Sequence, residues 1–347
     1  MATSDTPSSA ASRSTLLMRP FPEDRPVRVL ALSGGGFLGL YSAKLLEGLE
    51  ALAGEPLGRR FDLIAGTSIG GLLALALAFE VPMSRLVELF ETQGPDIFSA
   101  RALPAGPVSR LLDMSRSVFG PKYSGTALRA ALQDALEDRR LADALHRVVV
   151  PAVDVGRSRA KIFKTPHATA SRGDGNLRAM DVAMATCAAP AYFPAVRVGR
   201  RLYADGGLYA VAPDQVALHE LEHFLHVDVA RVSMLSVGTA TSHYRPAGGV
   251  AEDAGAVDWL SGGRLLLTLI SVQQQYAHTM VKDRLGSERY LRLDAMWPGD
   301  AGLGIDVATR QAAGVLTGLA RRTLAETPAE RLDAFIAPLE RQSRRRP

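Results

Sequence analysis

Cysteine is almost absent from this chain. Cys187 is the only one, so no intramolecular disulfide can form, and a reducing cytosol is the expected compartment. Lysine is nearly as scarce: Lys44, Lys122, Lys161, Lys164 and Lys282 are the only lysines, and arginine supplies the rest of the positive charge. The arginines are scattered except for a terminal run at Arg344, Arg345 and Arg346, and the net charge is only +4, which argues against bulk nucleic-acid binding. Long hydrophobic runs are also missing. The longest, at 71–79, falls well short of the roughly 20 apolar residues that span a bilayer. Residues 1–26 are rich in Ser, Thr, Ala and Pro, with only Leu16, Leu17 and Met18 as an apolar cluster, so no secretory signal is read there and a disordered leader is expected. Membrane contact then has to be peripheral, with the protein acting from the cytoplasm at the inner membrane.

What is present is an ordinary globular composition, 47% hydrophobic and 22% charged, which excludes a disordered, collagenous or disulfide-scaffold chain. From Val27 onward, short apolar runs alternate with glycine-rich turns and helical patterns. The runs 27–32, 61–65, 148–153 and 232–237 predict buried strands, and the helical segments between them predict a mainly parallel sheet covered on both faces. Helices are predicted over 128–141, 258–280 and 307–324. The segment 93–121 carries Pro, Gly and Ser with scattered apolar residues including Ile97, Phe98 and Phe119, and reads as a lid, as does 242–263. A chain of 347 residues fits one or two domains. Motifs for one site extend from Gly34 to Asp205, so a single α/β domain over 27–340 is expected, with a helical C-terminal part at 264–340 and a basic tail at 341–347.

Three motifs carry chemistry. Gly66-Thr67-Ser68-Ile69-Gly70 sits between a predicted strand and a predicted helix, the context in which a sharp turn projects a serine hydroxyl; a bare glycine turn with a capping serine is the alternative. Gly34-Gly35-Gly36-Phe37-Leu38-Gly39 also follows a strand, and its successive N–H groups could converge on an anion. It lacks the spacing of a dinucleotide fingerprint, and paired with a serine elbow it reads as an oxyanion hole. Asp205-Gly206-Gly207 is by itself an everyday turn, but a serine nucleophile needs a base.

Together with Ala188-Ala189-Pro190-Ala191-Tyr192-Phe193-Pro194 and Leu235-Ser236-Val237-Gly238-Thr239, these motifs occur in the order seen in patatin-like phospholipases, which the chain resembles from Val27 to about Thr241. The resemblance implies a three-layer α/β fold and a Ser–Asp lipid acyl hydrolase without cofactor or metal. Ser68 would be the nucleophile, Asp205 the base, and the N–H groups of Gly35 and Gly36 with their neighbours Gly34 and Gly39 the oxyanion hole. Membrane phospholipid is the implied substrate. Two positions depart from the family pattern: Leu38 stands where a basic residue is usual, and Val211 and Ala212 precede Pro213 where asparagine is usual. The stretch from Phe37 to Ala43 further resembles bacterial effectors of antiphage signalling, which implies a cyclic dinucleotide activator; Arg101, Arg110 and Arg116 of the lid segment are candidate phosphate contacts, with scattered surface arginines as the alternative reading.

Two other readings compete with this one. His219-Glu220-Leu221-Glu222-His223 matches H-E-x-x-H, in which two histidines on one helix face bind zinc and the glutamate acts as base of a peptidase. Leu218, Leu221 and Leu225 would form the core stripe of that helix, leaving the histidines, with His226, on a solvated face. A non-catalytic lipid-binding module is the other alternative. Asp154 reads as a turn cap and Cys187 as a packing residue. His278 falls inside a predicted helix, which disfavours a Ser-Asp-His triad.

Overall fold

The computed structural model describes residues 20–100, 120–246, 249–260, 263–299 and 301–339. Its strands are β1 (Val27–Leu32), β2 (Leu63–Gly66), β3 (Val148–Asp154), β4 (Arg159–Lys164), β5 (Val196–Val198), β6 (Arg201–Asp205), β7 (Val232–Val237) and β8 (Tyr290–Leu293). All eight join one sheet in the order β5-β6-β3-β2-β1-β7-β8, with β4 pairing on β3. The β1–β2, β1–β7, β2–β3 and β7–β8 pairs are parallel, whereas β4, β5 and β6 are attached antiparallel. The fold is therefore α/β with a mainly parallel centre. The antiparallel edge escaped the sequence patterns because Arg159, Lys161, Arg197 and Arg201 interrupt every apolar run there.

Alternation along β1 shows how the layers form. Leu30 and Leu32 face the larger core, and Val27, Val29 and Ala31 face the smaller one. The larger core is covered by α1 (Gly39–Ala53), α2 (Ile69–Ala78), α3 (Met83–Ile97), α4 (Thr126–Leu136), α5 (Ala179–Thr186), α9 (Arg310–Glu326) and α10 (Ala329–Ile336). The smaller core is covered by α6 (Asp214–His219) and the C-terminal half of α8 (Arg264–Leu285). Every residue of α2 is buried, so the longest apolar run of the sequence is a central core helix. Among the described residues, no helix is long and apolar enough to cross a membrane.

Several expectations need correction. The predicted helix 258–280 is two helices, α7 (Ala256–Leu260) and α8, with Gly263 at φ +71° as the N-cap of α8. The helix predicted to reach residue 141 stops at Leu136, where Glu137 turns to φ +55°. The helix expected from 307 starts at Arg310, because the Thr309 hydroxyl accepts the Ala312 N–H at 3.1 Å and caps it. The C-terminal part is not wholly helical, since it also supplies β8. Residues 93–97, read as the start of a lid, are the last turn of α3. The rest of that lid segment at 101–119, with Arg101, Arg110, Arg116 and Phe119, lies outside the described residues, as do the leader at 1–19 and the tail at 341–347. Residues 20–26, read as the end of the leader, are tied to the body: Arg25 clasps Asp62 with two 2.7 Å bonds, and Arg147 stacks on Phe21 at 4.3 Å.

Candidate active site

Leu32 and Gly66 are register partners at the carboxyl ends of the adjacent parallel strands β1 and β2. The glycine loop leaves one and the serine turn leaves the other, so the parallel pairing alone brings the two motifs side by side. Ser68 sits at φ +55°, ψ −127°, a conformation L side chains avoid, at the head of α2. The turn closes only because its neighbours are small. A Cβ on Gly66 would lie 2.1 Å from the Gly70 carbonyl oxygen, and one on Gly70 would lie 2.3 Å from that of Leu32. The backbone is held from below, where the Ser68 N–H donates to Thr186 Oγ1 at 2.9 Å and that hydroxyl donates to the Pro151 carbonyl at 2.6 Å.

Asp205 ends β6 opposite Ala152 of β3, which carries its carboxylate to the elbow. Ser68 Oγ donates to Asp205 Oδ2 at 2.6 Å, and the Gly207 N–H donates to Oδ1 at 2.7 Å. Burial pushes the Asp205 pKa up from 3.8 to about 6, against the opposing pull of these two hydrogen bonds. A carboxylate so raised is a stronger proton acceptor than a solvated one and is still ionised near neutrality. Among the described residues no histidine is bonded to either side chain, so the arrangement is a Ser–Asp pair and not a Ser–Asp–His triad.

The glycine loop divides its labour. The Gly34 N–H is bonded to the Val211 carbonyl at 2.9 Å, and the Gly39 N–H closes the turn onto the Gly36 and Phe37 carbonyls. Those two glycines therefore offer no donor to a substrate, a correction to the four-glycine expectation. Gly39 has a packing role instead, since a Cβ there would lie 2.7 Å from Ile69. The N–H groups of Gly35 and Gly36 have no protein acceptor among the described residues, and they sit beside Ser68 and the α2 N-terminus, where negative charge is favoured. Gly36 has φ +59°, and a Cβ on it would lie 2.1 Å from the Ile305 carbonyl oxygen, which accepts the Phe37 N–H at 2.7 Å. Gly36→Ala is therefore expected to displace the loop, lowering turnover by about tenfold or more and the melting temperature by a few degrees. Steady-state rates and a thermal melt check it.

The site thus pairs a strained serine and a buried carboxylate with two free N–H donors. Residues 30–218 match the sequence model of the family described as patatin-like phospholipase. The chain belongs to the patatin-like phospholipase family. It is 42% identical over 267 residues to a cGAMP-activated phospholipase of Pseudomonas aeruginosa, covering 77% of each chain. A cGAMP-activated phospholipase of Vibrio cholerae is 34% identical, with 85% of this chain and 89% of that one covered. Patatin-like protein 2 of Arabidopsis thaliana is 28% identical, with 82% and 79% covered.

The patatin-like site opens into a cavity of about 170 Å³ walled mainly by apolar side chains, among them Phe98, Leu128, Phe193, Leu266 and Ile270. Such a wall suits an acyl chain. Cys187, read as a packing residue, is buried and also lines this cavity. Burial holds its thiol well above the ordinary range, so it stays protonated and does not compete as a nucleophile. Leu38 is fully buried in the core, and the loop next to it is held by the Val211 and Ile305 carbonyls.

Sequence reasoning missed the supports that come from distant chain. Gln273 of α8 accepts the Val211 N–H at 3.0 Å and donates to the Gly207 carbonyl at 3.2 Å. One side chain thus fastens the turn that holds Asp205 and the residue that holds Gly34. Gln274 donates to Thr239 Oγ1 at 3.2 Å, and that side chain packs against Gly35. No local motif marks either glutamine, because their role exists only across the fold. Gln273→Leu removes both bonds at similar volume and is expected to lower kcat several-fold with KM little changed, as steady-state kinetics would read.

The H-E-x-x-H match is not a metal centre. His219 and His223 are exposed and stacked, with ring centroids 5.1 Å apart. Glu220 is buried, ion-paired with Lys164 and bonded to His167 Nε2 at 3.1 Å. Those partners hold the Glu220 pKa down against its burial, and they turn the intended base away from the solvated histidines. Leu218 and Leu221 form the buried stripe, as their spacing predicts. Asp154 ends β3 with Arg157 and Arg201 at 3.7 and 3.8 Å, and His278 is on α8 beside Tyr290.

Proposed function

We propose that this chain is a phospholipase that releases fatty acid from membrane phospholipids through Ser68 and Asp205, is switched on by cGAMP, and acts peripherally at the inner face of the cytoplasmic membrane. The observation that carries the chemistry is the 2.6 Å bond from Ser68 Oγ to Asp205 Oδ2 beneath two unoccupied N–H donors. In the first step Asp205 takes the hydroxyl proton as Oγ bonds to the ester carbonyl carbon. The resulting oxyanion is received by the Gly35 and Gly36 N–H groups, where a single well-placed donor contributes about 3 kcal/mol. When the carbonyl reforms, the bond to the glycerol oxygen breaks and Asp205 returns its proton to that leaving oxygen. Water then repeats the sequence on the acyl-serine, losing a proton to Asp205 and freeing the fatty acid and Ser68.

Activation by cGAMP is supported by the names and similarity of the bacterial relatives, and a role in antiphage defence by the resemblance of the glycine loop. The direct test is fatty-acid release from phospholipid vesicles by the purified chain with and without cGAMP. Release that rises on adding cGAMP, with one lysophospholipid formed per first fatty acid, is the expected result. Release at the same rate without the nucleotide would make the enzyme constitutive, and no release in either condition would overturn the reading.

A further inference from the structure

Helix α8 has two unlike faces. Leu267, Ile270, Ala277, Val281 and Leu285 are buried on one side. On the other, Leu265, Leu269, Val272, Tyr276 and Met280 recur every three or four residues and are each 38 to 61% exposed. Over about 15 residues at 1.5 Å rise this makes an exposed apolar stripe roughly 22 Å long. Single exposed hydrophobic residues need no explanation, but a continuous row on one helix does.

The row is extended by a second element. The bond from Gln273 to the Gly207 carbonyl sets the following residues, Leu208 and Tyr209, beside the middle of α8, and both are exposed, at 54% and 39%. Leu208 and Leu269 belong at once to this outer surface and to the wall of the cavity over Ser68. The exposed apolar surface therefore leads into the site that must receive an acyl chain. The helix itself carries Arg264, Lys282 and Arg284 against a single acid, Asp283, and Arg284 is paired with Glu222 of the neighbouring segment.

We propose that this face of α8, with Leu208 and Tyr209, docks on an anionic phospholipid bilayer and passes the acyl chain between Leu208 and Leu269 into the cavity. The proposal rests on the phospholipase reading above. A bilayer is the occupant that fits all three features: the apolar stripe sinks into the acyl boundary, the remaining basic excess at the helix ends meets anionic headgroups, and the ring and hydroxyl of Tyr276 suit the interface between them, while the Tyr209 hydroxyl stays on the Lys161 carbonyl. A second copy of the chain seated there would instead cover the entrance.

The test is the double variant Val272→Asp/Tyr276→Asp, which alters neither the dyad nor the cavity wall. Co-flotation with vesicles of phosphatidylcholine and phosphatidylglycerol is measured in a Ser68→Ala background, and fatty-acid release from the same vesicles and turnover of a monomeric short-chain nitrophenyl ester are measured with Ser68 intact, all with cGAMP present. Flotation and vesicle hydrolysis are expected to fall by about tenfold or more, with turnover of the monomeric ester within about twofold of the parent. Flotation that is unchanged overturns the proposal, and so does a parent dimer that the variant splits while both bind vesicles equally. A polarity-sensitive dye on Tyr276→Cys gives an independent reading, since Cys187 is buried: emission that does not shift to the blue on adding vesicles overturns the docking however the aspartate variant folds. A parent that floats but turns over neither lipid nor ester removes the phospholipase reading and leaves the docking face standing.

Discussion

Ser68→Ala is expected to abolish fatty-acid release, lowering the rate by about four to six orders of magnitude, the scale on which a hydrolase loses turnover when its nucleophile is removed. Among the described residues nothing nearby replaces the hydroxyl. The closest thiol, Cys187, is kept protonated by burial, and the free N–H groups of Gly35 and Gly36 can polarise an ester but cannot attack it. The fold should survive. Alanine keeps the φ +55° conformation at the same strain as serine, and the buried Asp205 retains its bond from Gly207 when the Ser68 bond is lost. The lost hydrogen bond costs about 1 kcal/mol, so a thermal melt shifts by only a few degrees. Residual release above about one part in a hundred would show that another group is the nucleophile.

Asp205→Asn removes the proton acceptor and leaves the nucleophile, and it is expected to cut turnover by about three to four orders of magnitude. It also has an opposite effect on stability. The folded pKa of Asp205 is about 6, above the 3.8 of an unperturbed carboxyl, so the native state holds the proton more tightly than the unfolded chain does. The ionised form therefore destabilises the fold: the penalty is absent below pH 4, grows between 4 and 6, and is full above 6. Its ceiling is about 3 kcal/mol, at 1.36 kcal/mol per pKa unit. Asparagine stays neutral throughout, so the variant gains stability relative to the parent as pH rises through that window. Melts at pH 4 and pH 8 read this directly, and a gap that fails to widen at the higher pH contradicts the assignment. The parent's turnover should in turn climb with pH up to about 6 and then level, because only the ionised carboxylate can accept the proton.

Lost activity with gained stability is a signature a purely structural aspartate would not give. The packing around Asp205 explains it. The carboxylate is 5% exposed, and among the described residues it has only two hydrogen-bond donors, Ser68 Oγ and the Gly207 N–H, and no cation paired with it. An arginine beside it would stabilise the ion and weaken the base. Arg292 is instead paired with Asp294 at 2.8 Å and bonded to Ser236 and Gln274, where it braces the residues behind the glycine loop without touching the dyad.

Much of this site was legible in the linear chain because its geometry is enforced over short distances. A serine forced to positive φ needs small residues two before and two after it, and Gly66 and Gly70 supply them within a single turn. The central strands were legible for a similar reason, since burial on both faces demands continuous apolar runs such as 27–32 and 232–237. The edge strands β4, β5 and β6 were not, because a half-solvated strand tolerates arginine and lysine, and pairing rather than composition defines it. The helix predicted over 258–280 failed at Gly263, where a left-handed cap interrupts an otherwise helical pattern.

The sequence by itself determined which residues can do the chemistry: the serine, the aspartate, the glycines and their order along the chain. Tertiary structure decided how they are used. Parallel pairing of β1 with β2 sets the loop against the elbow, and antiparallel pairing of β6 on β3 delivers Asp205 from 137 residues away. Only then can Val211 and the carbonyls of the loop's own turn occupy the N–H groups of Gly34 and Gly39 and leave those of Gly35 and Gly36 free. The same holds for the H-E-x-x-H stretch, where Lys164 and His167, far off in sequence, claim the glutamate. Hydrogen-bond partners and burial are properties of neighbours in space, so a motif can name a donor or a base, but only the packed fold settles which of its groups remain unpaired.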